Sequence, residues 1–106
     1  MLMFIAMNRF RIRKGCGLDF EAIWDKRESN LPEVPGFIEF HLVRGPEYED
    51  HILYATHVLW DSRASFEAWT QSEAFRRSHA GARSSRDIYV GPPQFEGFEV
   101  LRVEKK

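Results

Sequence analysis

The chain of 106 residues carries 15 Lys and Arg against 16 Asp and Glu, with 43% hydrophobic and 14% aromatic residues. A net charge this close to zero excludes the basic surplus expected of a nucleic-acid binder. The single cysteine, Cys16, excludes an internal disulfide and, lying in a KGCG turn away from any base, argues against thiol catalysis. The apolar share suffices for one packed domain over residues 1–106, and the aromatic excess suits an aromatic-lined cavity or a large subunit interface.

At the start of the chain, MLMFIAM is too short for an export signal and is broken by Asn8 and Arg9, so neither a leader nor a membrane span is expected and a reducing, cytoplasmic setting is. Residues 2–13 alternate: Leu2, Phe4, Ala6, Phe10 and Ile12 fall on one face, Arg9, Arg11 and Arg13 on the other, which predicts a half-buried strand. Asn8 falls on the apolar face. A buried amide without partners costs about 1–3 kcal/mol, so Asn8 must meet a backbone group, a water or a ligand.

After a turn at Lys14–Gly17, the recurrence of Leu18, Phe20, Ile23 and Trp24 predicts an amphipathic helix whose polar side is solvated. Pro35 and Gly36 then stop the intervening loop and launch a strand over 37–44. An acidic connection from Glu47 to Asp50 leads to a third strand over 52–60, apolar on both sides and so expected to be covered on both. His41, His51 and His57 lack metal-ligand spacing and read as strand and loop residues.

The stretch from Trp60 to Gly81 organises the candidate site. Asp61 and Ser62 are N-cap types ahead of Ala64, Phe66 and Trp69, Ser72 gives a second helix start, and Gly81 suits the position past a helix end. In one unbroken helix Trp69 and His79 would lie roughly 15 Å apart along the axis and about 80° apart around it. A break near Gln71 and Ser72 brings both to one pocket, with Phe75 and His79 sharing a face of the second segment. The stretch 82–93 reads as a mobile loop in which Arg83 and Arg86 are candidates to meet an anionic ligand group, and residues 95–103 read as a fourth strand before a solvated tail.

The order β-α-β-β-α-β is that of the ferredoxin-like α+β fold, an antiparallel sheet with both helices on one face. The other face is bare, and a second copy of the chain, sheet on sheet, is its simplest cover.

Over nearly its whole length the sequence resembles the antibiotic-biosynthesis-monooxygenase superfamily of dimeric ferredoxin-like barrels. The segments FIAMNRF, LPEVPGF and VLWDSRASFEAWTQSEAFRRSHAG are similar to those of IsdG-type haem-degrading monooxygenases, most sharply in the combination of Asn8, Trp69 and His79. The resemblance implies that His79 is the axial ligand to haem iron, that Trp69 presses on the macrocycle, and that Asn8 acts from the opposite side of the ring. Phe75 and Arg83 complete the expected haem contacts. Haem would be both substrate and oxygen activator, with electrons from an external reductase, since no flavin or nicotinamide fingerprint is present. Two other readings remain: a cofactor-independent monooxygenase of an aromatic polyketide-like substrate, and a non-catalytic haem-binding dimeric module.

Overall fold

A computed structural model describes residues 1–27, 30–73, 75–76 and 87–106. The elements run β1 (Phe4–Ile12), α1 (Gly17–Lys26), a short 3-10 turn (Leu31–Glu33), β2 (Phe37–Glu47), β3 (Ile52–Trp60), α2 (Arg63–Thr70) and β4 (Gln94–Glu99). Every strand pairing is antiparallel, in the order β2-β3-β1-β4, so the chain has the ferredoxin-like α+β architecture expected from its sequence. The long alternating strands β1 and β3 take the centre because each can pair on both edges, as their β-branched and aromatic content favours.

Alternation sorts the two faces. Phe4, Ala6, Asn8, Phe10 and Ile12 of β1 stand opposite Trp60, Val58, Thr56, Tyr54 and Ile52 of β3, and this is the face that the helices cover. Two apolar clusters form on it. Around α2, Phe4, Ala6, Val58 and Trp60 pack with Phe37, Phe40, Phe66 and Trp69. Around α1, Ile12, Phe20 and Tyr54 pack with Phe10, Trp24, Leu42 and Tyr89.

The α1 helix departs from expectation at Leu18, which is 80% exposed while Phe20 is fully buried. Residues two apart on a helix point about 200° from one another, so Leu18 and Phe20 cannot share an inward stripe. Glu21, expected in the solvated face, instead accepts a hydrogen bond from the Tyr54 hydroxyl and lies 3.6 Å from Arg44 of β2. Arg27, read as equally solvated, sits over the Trp24 ring at 4.3 Å from its centroid.

At the other helix, Ser62 caps α2 by accepting from the Ser65 N–H at 3.2 Å. The junction between β2 and α2 turns on Gly36, whose φ of +87° is left-handed and whose carbonyl accepts from the Asp61 N–H at 2.8 Å.

Several boundaries shift. β1 spans Phe4–Ile12 rather than 2–13, and β2 runs on to Glu47 rather than ending at 44. The fourth strand ends at Glu99 rather than Val103: β1 begins at Phe4, the partner of Glu99, and one further bond, from the Val100 N–H to the Met3 carbonyl at 2.8 Å, closes the pairing. Of the expected loop over 82–93, residues 87–93 are tied down: Ile88 accepts from the Arg13 N–H, Val90 donates to the Arg11 carbonyl, and Tyr89 bridges to Ile12. Residues 77–86 lie outside the described residues.

The opposite sheet face bears Ile5, Met7, Arg9, Val43, Ala55, His57, Leu59 and Phe98, with no helix of the described residues over it. There His41 and His57 stack as cross-strand neighbours at 5.7 Å, and Arg9 pairs with Glu96. The third described histidine, His51, bonds Asp50 at 2.6 Å and stacks on Tyr48.

Candidate active site

The two apolar clusters meet along one rung of the sheet, and that rung is polar. Asn8 of β1 and Thr56 of β3 stand directly opposite one another, with Leu42 beyond Thr56 on β2 and Phe95 beyond Asn8 on β4. Asn8 is half-buried and Thr56 is 4% exposed. Neither side chain hydrogen-bonds to another described residue. Their polar atoms are not among the fully buried unpartnered ones, which among the described residues are Arg11 Nε and Trp60 Nε1, so the pair keeps access to a small molecule such as water.

The wall on the α2 side is a run of rings. Trp69, in the last turn of α2, lies 5.3 Å from Trp60 and 6.3 Å from Phe66 between centroids. Phe66 in turn stacks on Phe95 at 5.5 Å, with the planes 8° apart. Phe95 is about half exposed, so this pair stands at the open β4 side of the rung. Toward α1 the facing rings are Phe10, Trp24 and Tyr89, and Trp24 stacks on Phe40 at 5.7 Å to join the two walls at β2.

Trp69 is held by a helix break. Gln71 is the C-cap of α2, and the Ser72 hydroxyl donates to the Trp69 carbonyl while accepting from the Phe75 N–H at 3.2 Å. One serine thus closes one helical segment and opens the next. The consequence is a T-shaped contact between Trp69 and Phe75 at 4.9 Å. In a continuous helix, residues six apart are separated by about 9 Å along the axis and 120° around it, and such a contact would not form. The break expected at Gln71 and Ser72 is therefore present, and it brings Trp69 and Phe75 together.

His79 and Arg83, with Arg86, lie outside the described residues. Arg76 is exposed and 3.6 Å from Glu73. Among the described residues no cluster of three or more His, Cys, Asp or Glu side chains has the geometry to hold a metal ion, and no helix is long and apolar enough to cross a membrane.

Reading the sequence missed Thr56 and Phe95. Phe95 looked like any strand aromatic, while Thr56 is a common β-former whose neighbours Tyr54 and Val58 drew attention to the apolar pattern. The available signal was the pairing itself: once β1 and β3 are set antiparallel, the odd polar residue of each falls on the same rung.

This polar pair between aromatic walls suits a flat, largely aromatic ligand. The walls are rings, the floor supplies one amide and one hydroxyl, and no charged side chain stands on that rung. Burial pushes the hydroxyl of Tyr89, at its α1 side, above the ordinary tyrosine range, against a small opposing pull from Arg27, so this hydroxyl stays neutral at physiological pH.

Comparison with solved structures finds the same fold. A Bacillus cereus protein described under the antibiotic biosynthesis monooxygenase name superposes with a TM-score of 0.80 at 17% identity, covering 100% of both chains. The haem degrader MhuD from Mycobacterium tuberculosis, with two haems bound in its active site, gives 0.75 at 25% identity over 96% of this chain and 99% of its own. SnoaB, a cofactor-independent oxygenase from Streptomyces nogalater, gives 0.69 at 17% identity over 100% of both chains. The search of curated proteins returns no match. The family model for antibiotic biosynthesis monooxygenase matches residues 3–81, a span that runs from β1 past α2 and takes in Asn8, Thr56, Trp69 and Phe75; the chain belongs to that family.

Proposed function

We propose that this protein is a haem-degrading monooxygenase that binds haem in the slot between the sheet and α2, opens the porphyrin ring and releases its iron. The observation that carries the proposal is Asn8: a strand amide on the helix-covered apolar face, with no side-chain hydrogen bond to another described residue, on the rung where two aromatic walls meet. The likeness to MhuD supports the same ligand, at 25% identity over nearly the full length of both chains.

The described residues fit a porphyrin. Trp69 and Phe75 give rings at right angles, one to lie against the macrocycle and one to hold it there. Packed against Trp60 and Phe66, Trp69 has little freedom to yield and so presses on the ring. From the sheet floor, Asn8 supplies a hydrogen bond in a place from which the aromatic walls exclude bulk water. His79 would hold the haem iron, and Arg83 would meet an anionic edge of the ring. When bound, haem supplies both the ring that is oxidised and the iron chemistry that activates dioxygen. Electrons come from an external reductase. A second copy of the chain covers the bare sheet face, making the functional unit a homodimer.

An absorption titration with haemin, followed by reductant in air, tests the reading. The expected result is a saturable Soret shift that decays after reductant is added, and a His79→Ala variant whose Soret band is lost or displaced. A Soret band that persists under reductant would make the protein a carrier. No Soret shift at all would move the slot to cofactor-independent oxidation of an aromatic substrate.

A further inference from the structure

Among the described residues the Asn8 side chain has no hydrogen-bond partner, so nothing described so far decides which of its ends faces the aromatic walls. Its opposite number does. Thr56 is the cross-strand partner of Asn8, which puts the two Cβ atoms about 4.5–5.5 Å apart on one face. Thr56 is 96% buried on the complement of its 4% exposure, and its hydroxyl makes no hydrogen bond to a described residue. The other two residues of the rung, Leu42 and Phe95, have no polar side-chain atom to give either of them. On this rung the polar side-chain atoms are those of Asn8 and Thr56 alone.

We infer that Thr56 is the positioning residue for Asn8: its hydroxyl and the Asn8 Oδ1 share one water, and that bridge turns the Asn8 Nδ2 donors toward the aromatic slot. A hydroxyl brings one donor and two acceptor sites, and an amide brings a carbonyl and an NH2, so a single small oxygen between them meets the needs of both. Such a bridge is nearly as good as a direct hydrogen bond and costs little to order in a nearly closed site. With Oδ1 engaged toward β3, the group left for a bound molecule is a donor pair. The slot is thereby specified for an acceptor atom on the ligand. The catalytic consequence rests on the haem reading; the positioning itself does not.

The test separates the two. In ligand-free, 15N-labelled protein, the Asn8 side-chain NH2 signals are identified by their absence from Asn8→Ala. Thr56→Val keeps the shape and removes the hydroxyl, and it is expected to move both NH2 proton resonances as the amide loses its fixed orientation. Thr56→Ser keeps the hydroxyl and is expected to leave them near the wild-type positions. In haemin-loaded protein, Thr56→Val is expected to slow ring opening about fivefold with the Soret band unchanged, and Thr56→Ser to restore the rate. Asn8 resonances unmoved in Thr56→Val, or moved equally by Thr56→Ser, would overturn the positioning role. Should the wild-type protein take up no haemin, the haem reading falls while the ligand-free spectra still decide the role of Thr56.

Discussion

Two side chains on neighbouring rungs of the sheet do different work, and substitution separates them. Tyr54 ties the sheet to α1 by donating to Glu21, and burial, reinforced by the Glu21 carboxylate, holds its hydroxyl above the ordinary tyrosine range. Tyr54→Phe is expected to cost about 1 kcal/mol at neutral pH, read as a lower Tm. The pH dependence has a definite sign. A group whose folded-state pKa is raised contributes stability that is complete below its unfolded value, about 10 for tyrosine, and loses it as pH rises through the folded value. The Tm of the wild-type protein should therefore fall more steeply than that of Tyr54→Phe above about pH 10, with Tyr89 adding a slope common to both. Parallel curves would show that the Tyr54 hydroxyl is not held in its neutral form. Asn8, by contrast, makes no direct side-chain hydrogen bond to a described residue, and a second water can take its place beside the Thr56 hydroxyl. Asn8→Ala is expected to leave Tm nearly unchanged and the Soret band in place while slowing ring opening by about tenfold or more, which stopped-flow absorption reads directly. Equal rates with and without the amide would remove Asn8 from the chemistry.

At the scale of elements, the site depends on two junctions. Gly36 joins β2 to the start of α2 with a left-handed backbone, and a Cβ there would run into the Ser65 side chain and lie 2.7 Å from Asp61 Oδ1. Gly36→Ala is expected to cost about 2 kcal/mol or more, a fall in Tm of roughly 10 °C by thermal melt. An unchanged Tm would mean that the junction relaxes freely. The other junction is Ser72, which ends one helical segment and caps the next, and so sets Phe75 against Trp69. Both junctions were legible in the sequence because Gly at a turn and Ser ahead of a helix act through their own backbone geometry. The strand order and the split of faces were legible as well, since alternation is a local property. The inward placement of Leu18 was misread from periodicity, because a list of apolar residues does not say which of them define the stripe. The partnership of Asn8 with Thr56 was not legible at all. It exists only in the register between two strands 48 positions apart in the chain (56 − 8).

For the molecule as a whole, the sheet divides one purpose from another. The helix-covered face holds the slot, and the bare face offers Met7, Val43, Leu59 and Phe98 to a second copy. Val43 and Phe98 are 40% and 45% exposed, more than an isolated domain gains from. Sedimentation at working concentration is expected to give twice the 12.5 kDa chain mass, and Val43→Arg with Phe98→Arg to give the monomer. A wild-type monomer would defeat the dimer proposal without touching the slot.

The central claim is that the slot consumes haem rather than storing it. Its most direct test is a single turnover of haemin-loaded protein with reductant in air, following the Soret band while a chelator traps ferrous iron. The account predicts that ring loss and trapped iron rise together and in equal amount, with new absorption at longer wavelength. A Soret band that stays intact, with no iron in the chelator, would contradict it.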